Sequence, residues 1–316
     1  MSFRDFLKFN LLLFVFVFIL VAKTMAGGVE EGVSSVGQNS NTFSQPDWIE
    51  QNPPSRFLDE ECSFACQKIP TQNSLVRKMD NLQNPQALND RFSVLVWNIY
   101  KGRKVNFPEE FAKLSQKADV KMLQEMFGTE SLVQKFLKIP NQSWNLAVSF
   151  LMKLDVPTGV MTGSKHESQK TWAFQSPDRE PFVKSPKVIL ATLHPFKNGQ
   201  NLLALNIHGI NFRRDEGLIR QVEQTKEIIA KHNGPVLFAG DFNTKNKGRL
   251  AALDCLMRDM DLKRVEWENP TVGPWPAKEQ LDHAYVRDLK VNRAHLISEA
   301  QGSDHLPLIL DLSLQM

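Results

Sequence analysis

Residues 235–243 read Pro235-Val-Leu-Phe-Ala-Gly240-Asp241-Phe-Asn243. A short apolar run, bounded by Pro and Gly and too brief for a helix, reads as a strand buried on both faces. An acid and an amide stand just past its end. The same grammar recurs along the chain. Phe92-Ser-Val-Leu-Val-Trp97 runs into Asn98, Val120-Lys-Met-Leu123 into Glu125, and Leu202-Leu-Ala-Leu-Asn-Ile207 into His208. In the opposite sense, Asp282 opens His283-Ala-Tyr-Val286, and Asp304-His305 precedes Pro307-Leu-Ile-Leu310. Val188-Ile-Leu-Ala-Thr-Leu193 is a further strand of the same kind. Taken singly, each polar residue is an ordinary turn former or cap. Taken together, polar strand ends of this sort gather at one rim of a sheet and can line a single cleft.

Apolar residues at three- and four-residue steps predict helices over 109–117, 217–232 and 248–260. Many strands with few helices imply two packed sheets covered by helices, not a Rossmann alternation. Ahead of this body, 27–90 is polar and punctuated by Pro46, Pro53, Pro54, Pro70 and Pro85. It reads as a linker holding a short docked segment, which leaves 91–316 as the principal domain. No unit of 20–50 residues repeats, so a solenoid is excluded.

The first 26 residues carry a different signal. Arg4 and Lys8 precede an uninterrupted apolar run from Leu11 to Ala22, and Thr24-Met-Ala26 supplies small residues before Gly27. A basic start, a short apolar centre and a small-x-small site describe an export signal, with an uncleaved membrane anchor as the alternative. Over the whole chain 38 Lys and Arg face 35 Asp and Glu, a charge of +3, and loss of Arg4, Asp5, Lys8 and Lys23 leaves +1. Attraction to any polyanion must therefore be local. The 42% hydrophobic and 23% charged residues exclude a wholly disordered or collagen-like chain. Three cysteines are too few for a disulfide scaffold. Cys62 and Cys66 are spaced for one small bridge or remain reduced, and Cys255 is expected as a buried thiol.

The blocks Val96-Trp-Asn98-Ile-Tyr-Lys-Gly102, Leu123-Gln-Glu125, Asn206-Ile-His208, Gly240-Asp-Phe-Asn243, Leu281-Asp282 and Ser303-Asp-His305-Leu-Pro307 resemble, in order, the endonuclease/exonuclease/phosphatase superfamily. With Gly159-Val-Met-Thr162 and Arg179-Glu-Pro-Phe182 they look most like its bacterial YafD-like branch. The resemblance implies a four-layer α/β/β/α sandwich, two mixed sheets face to face with outer helices, as in DNase I-like proteins. It also implies divalent-metal-dependent hydrolysis of phosphate esters with magnesium, or alternatively manganese.

Carried onto this sequence, the resemblance makes Glu125 the principal metal ligand, with Asn98 beside it and Asp304 in support. His305 pairs with Asp282, Asp241 positions or deprotonates the attacking water, Asn243 donates to a phosphoryl oxygen, and His208 donates to the phosphate. Lys101, Arg103, Lys104, Arg213 and Arg214 are phosphate-contact candidates from their place in the loops after Asn98 and His208. His283 and His194 have no matched role, and His283 reads as structural. The expected substrate is a phosphodiester, nucleic acid foremost, with membrane association through the N-terminal segment and no protein partner. A sphingomyelin- or inositol-phosphate-directed enzyme and a non-catalytic phosphate-binding protein are the competing readings.

Overall fold

The structure, a computed structural model, describes residues 68–181, 184–211, 214–269 and 280–315. The export signal, Cys62, Cys66, Phe182 and Arg213 lie outside the described residues.

Two mixed sheets form the centre. The first has seven strands: β1 (Val76–Asp80), β2 (Arg91–Asn98), β3 (Val120–Phe127), β4 (Ser143–Leu151), β5 (Pro157–Ser164), β12 (Leu289–Leu296) and β13 (Leu308–Leu314). Their spatial order is β1-β4-β5-β3-β2-β13-β12. The second sheet contains β6 (Lys170–Gln175), β7 (Val188–Pro195), β8 (Asn201–His208), β9 (Val236–Asp241), β10 (Lys263–Arg264) and β11 (Asp282–Arg287). They run in the order β10-β11-β9-β8-β7-β6. Among the described strands, β2–β3 and β8–β9 pair in parallel. Each of these parallel pairs is joined by a helical crossover, as the geometry requires.

Alternation along β2 shows why its run is apolar throughout. Val94 and Val96 point between the sheets, against Leu202, Ala204, Leu237, Ala239, Leu308 and Leu310. Leu95 and Trp97 point outward, under α1 (Phe107–Lys117) and α2 (Glu130–Leu137), with Phe107, Phe111 and Phe136. The second sheet repeats the design. Leu203, Leu205, Ile207 and Phe238 meet Leu218 and Val222 of α3 (Asp215–Glu223), Ile229 of α4 (Lys226–Lys231), and Leu253 and Met257 of α5 (Lys247–Asp259). The four-layer order expected from the sequence is the one observed.

Three expectations are refined. The docked segment within 27–90 is β1, which pairs with β4 and carries the buried Met79, and Leu88 bridges to Phe196. The helix expected over 217–232 is two, because the Thr225 hydroxyl and amide both bond the Val222 carbonyl and interrupt the i→i−4 ladder. Cys255 is exposed, not buried. Helix α5 spends its inward face on Leu253, Leu256 and Met257, and Cys255 falls outside that stripe.

Candidate active site

The polar strand ends converge as the sequence implied, and register explains how. His208, Asp241 and Asp282 end β8, end β9 and begin β11, and they lie side by side across the ladder, His208 opposite Asp241 and Asp241 opposite Asp282. Gly240 has φ 141° and its Cα faces the Ile207 carbonyl so closely that a Cβ would sit 2.2 Å from that oxygen. Only glycine fits there, and the approach locks β9 against β8 one residue before the acid.

His305 comes from the other sheet, on the segment leading into β13. Its carbonyl accepts the Trp97 indole N–H at 2.9 Å, and the Ser303 hydroxyl donates to the Asn98 carbonyl at 2.6 Å. Held in this way, His305 Nδ1 lies 2.7 Å from Asp282 Oδ2, and its Nε2 lies 4.0 Å from Asp241 Oδ2. The structure thus brings His305 and Asp282 into hydrogen-bond contact. Burial works against the imidazolium, but Asp282 first, and then Asp241 and Asp304, hold its pKa well above the ordinary histidine value.

Asp241 is the hub of this wall. Its Oδ2 accepts from Asn98 Nδ2 at 3.1 Å, and its Oδ1 accepts from the Asn243 backbone N–H at 2.9 Å. His208 Nε2 stands 3.6 Å from the same Oδ2. Asn243 adopts φ 53° and donates its side-chain amide to the Gly209 carbonyl at 2.9 Å. Its backbone thus braces Asp241 from behind, while its side-chain amide spends one hydrogen on Gly209. Asp304 stays at the exposed rim beside Ser303.

Glu125 occupies the facing wall. The β3–β5 register shifts between Leu123 and Met126, and Glu125 has φ 56°. A bulge of this kind re-aims one side chain out of its strand's alternation. The Lys101 ammonium meets Glu125 Oε2 at 2.5 Å, from a tight turn in which Tyr100 and Lys101 have φ 47° and 59°. Burial favours protonation of Glu125, but Lys101, then His208 and Lys187, outweigh it and hold the carboxyl well below the usual carboxylate range. Lys101, Glu125, Lys187 and His208 line one pocket, with Ser149 and Thr158. Sequence reading missed Lys187. It is a lysine before a strand, and the strand-end reading weighed acids, amides and histidines only.

His208 is a neutral imidazole. Burial, and then the neighbouring Lys187, push its pKa down to about 4. Lys187 Nζ lies 3.2 Å from His208 Nε2, so that nitrogen accepts from the ammonium. His283 is buried, bonded to the Thr244 hydroxyl at 2.7 Å and turned away from Asp282, in keeping with a structural role. His194 likewise sits in the core on the Thr192 hydroxyl.

As to metal binding, Asp241, Asp282 and His305 bring their ligand atoms within 4.8 Å of one another. Glu125 and Asp304 are not part of that group. One oxygen of Asp282 is buried without a hydrogen-bond partner, and Glu125 already holds a cationic group against its carboxylate. The Glu125 carboxylate, held ionised by its neighbours, is a donor of the kind that magnesium and manganese take, so Glu125 fits a hard divalent ion.

Comparison with known proteins bears on the same residues. A model of the "Endonuclease/Exonuclease/phosphatase family" matches residues 95–305, from β2 to the site histidine. The UPF0294 protein of Vibrio parahaemolyticus is 30% identical over 228 residues, 72% of this chain and 79% of its own length. Among solved structures, ANGEL2, a 2',3'-cyclic phosphatase, superposes with TM-score 0.57 at 15% identity, over 72% of this chain and 96% of its own. D. rerio TDP2 complexed with single strand DNA product superposes with TM-score 0.53 at 16% identity, over 71% and 99%. At such identities the solved structures attest the sandwich fold alone. The family match carries more, because it begins within β2, ahead of Asn98, and closes on His305, so that every strand end just described lies inside it: the chain belongs to the endonuclease/exonuclease/phosphatase family, hydrolases of phosphoester bonds.

Proposed function

We propose that the protein is an exported, divalent-metal-dependent phosphodiesterase whose foremost substrate is a nucleic acid strand. The observation that carries this reading is the Asp282–His305–Asp241 arrangement, with distances of 2.7 and 4.0 Å. A cationic imidazole, fixed by one carboxylate and facing another, suits attack of water on phosphorus. Asp241 orients the water and accepts its proton, while His305 donates from Nε2 to a phosphoryl oxygen. Asn98 and Asn243 keep the Asp241 carboxylate in place. Neutral His208 borders the same space without adding charge.

Glu125 would hold magnesium or manganese, with Asn98 and Asp304 at its flanks. The bound ion would neutralise charge on the phosphoryl and leaving oxygens. Lys101 must then yield Glu125 Oε2 and turn toward substrate.

Two observations support a strand as substrate. Lys101, Arg103 and Lys104 surround the Tyr100 ring at 5.9, 5.7 and 6.0 Å, beside Asn98. Cations interleaved with an aromatic ring suit phosphates and bases. TDP2, of similar fold, is known in complex with a single strand DNA product.

A lipid phosphodiesterase is the second reading. Val105 and Leu154, 93% and 95% exposed, sit on the loops following Asn98 and joining β4 to β5, and the pocket is lined by Lys101 of the first loop and by Phe150 and Thr158 at the strand ends that flank the second. Apolar side chains at such a rim suit an interface with lipid.

Mature protein assayed with magnesium, with manganese, and with chelator against single strands, plasmid, abasic duplex, sphingomyelin vesicles and inositol phosphates decides among these. Turnover of nucleic acid that chelator abolishes and salt suppresses is expected. Turnover confined to vesicles would install the lipid reading, and phosphate-ester binding without turnover would reduce the protein to a receptor. Export rests on residues 1–26 and is tested by intact mass and fractionation; a full-length cytoplasmic product would refute it. Among the described residues no helix is long and apolar enough to cross a membrane.

A further inference from the structure

Lys187 is held with unusual care for a lysine. Its backbone N–H donates to the Ser176 hydroxyl at 2.9 Å, and its carbonyl accepts the Ser176 N–H at 2.8 Å. The preceding Pro186 carbonyl takes the Ser149 hydroxyl at 2.5 Å, which ties the residue to β4 of the opposite sheet. Three contacts from two sheets thus fix the main chain just where β7 begins. The side chain runs into the pocket that contains Glu125 and His208.

Its ammonium, by contrast, touches no carboxylate among the described residues, and Glu125 acts on it only through the space of the pocket. Lys101, the other lysine of the pocket, is neutralised by Glu125 at 2.5 Å. The hydrogen-bond partner of Lys187 is the His208 imidazole, which is neutral and returns no negative charge. Among the described residues no carboxylate oxygen lies within ion-pair distance of Lys187. An ammonium that is pre-positioned in a pocket with no carboxylate in contact is a receptor for an anion that the substrate brings. His208 Nε2 lies between Lys187 Nζ and Asp241 Oδ2, at 3.2 and 3.6 Å. An oxygen taken by Lys187 is therefore close to the acid wall but on the far side of the imidazole.

We propose that Lys187 is a phosphate-binding residue of this cleft, donating to a nonbridging oxygen of the substrate phosphoryl group across from His305. The assignment rests on the phosphoesterase reading for its substrate but not for its test. The alternative is that Lys187 serves only to hold His208 in one tautomer.

The probe is inorganic phosphate, titrated calorimetrically into the full chain and into Lys187→Met and Lys187→Arg variants. Loss of one charged hydrogen bond is expected to weaken phosphate binding about ten- to a hundredfold in Lys187→Met. Lys187→Arg should recover most of it. With a hydrolysed substrate, KM should rise more than kcat falls in Lys187→Met. A second measurement needs no variant: phosphate should protect Lys187 of the wild-type chain from reductive methylation, read by peptide mass mapping.

Phosphate binding equal in wild type and Lys187→Met, absence of binding in the wild type, or methylation of Lys187 unaffected by phosphate would each overturn the assignment. A wild-type protein that binds phosphate through Lys187 yet hydrolyses no ester would sink the phosphoesterase reading and leave Lys187 standing.

Discussion

The two walls of the cleft solve opposite electrostatic problems. On one, Asp241 and Asp282 surround a single imidazole, and the excess of negative charge holds His305 protonated. On the other, Lys101 and Lys187 surround a single carboxylate and hold Glu125 ionised, while burial, and then Lys187, keep His208 neutral. Each wall uses its neighbours to fix one group in the state that is harder to keep in a buried site. The lesson is that a histidine's role here follows from its wall: His305 is a donor, and His208 an acceptor, although both end up within 4.0 Å of the same Asp241 oxygen.

The sharpest way to break this picture is to disable the acid wall. His305→Ala and Asp282→Asn should each lower turnover about 10²–10⁴-fold, the range typical of acid–base groups, with little change in substrate affinity. Because the two act as a unit, the double variant should lose little more than His305→Ala alone. Steady-state kinetics of the three variants decide; mild, additive losses would mean that the 2.7 Å contact is only a strand-end turn.

The lysine wall is tested by its dependence on metal. Glu125→Gln keeps the shape and removes the charge, so half-maximal activity should require at least about tenfold more magnesium. Lys101→Met should act in the opposite direction, by several-fold, since an ion no longer competes with the ammonium for Glu125 Oε2. Magnesium titrations that leave either variant at the wild-type midpoint would remove Glu125 from the metal site.

The walls also differ in how plainly the sequence declares them. His208, Asp241 and Asp282 follow or precede apolar runs that register must align, so a linear reading places them together. Asn98 is legible for the same reason. Glu125 is legible as a residue but not as a bulge, because its positive φ arises from the shift against β5, and β5 itself was not foreseen. Strand β5 reads Pro-Thr-Gly-Val-Met-Thr-Gly-Ser, a composition that local propensity gives to turns. Its glycines answer to tertiary contact: a Cβ at Gly163 would fall 2.0 Å from the Trp144 ring, and one at Gly159 would fall 1.8 Å from the Ala147 carbonyl. Strand β1 buries only alternate residues and β12 only Leu289, Ala294 and Leu296, so neither reads as an apolar run. Lys187 is placed by Ser149 of β4 in the opposite sheet and by Ser176 just past the end of β6, and no local pattern announces such a clamp.

The smallest expected effect distinguishes the walls by pH, in metal-free protein. His208 has its folded-state pKa lowered to about 4, chiefly by burial and then by Lys187. The folded chain therefore binds fewer protons than the unfolded one below pH 6.5. Its contribution to stability is present above that value and is lost as pH falls through about 4, amounting to up to about 3 kcal/mol. His305 has the opposite sign. Burial opposes its charge but Asp282 raises its pKa, so its contribution is full below pH 6.5 and is lost as pH climbs through the raised value. Urea unfolding from pH 4 to pH 9 should then show His208→Asn with a flatter acid limb than wild type and an unchanged alkaline limb. Asp282→Asn should flatten the alkaline limb instead. His194 and His283, lowered by burial to about 3 and about 4, contribute to the acid limb in every variant and cancel in the comparison. Imidazole proton shifts give the direct reading, with His305 still charged and His208 already neutral at pH 6.5. Two histidines titrating together near that pH would show that the walls do not separate charge, and the donor and acceptor roles drawn from them would go with it.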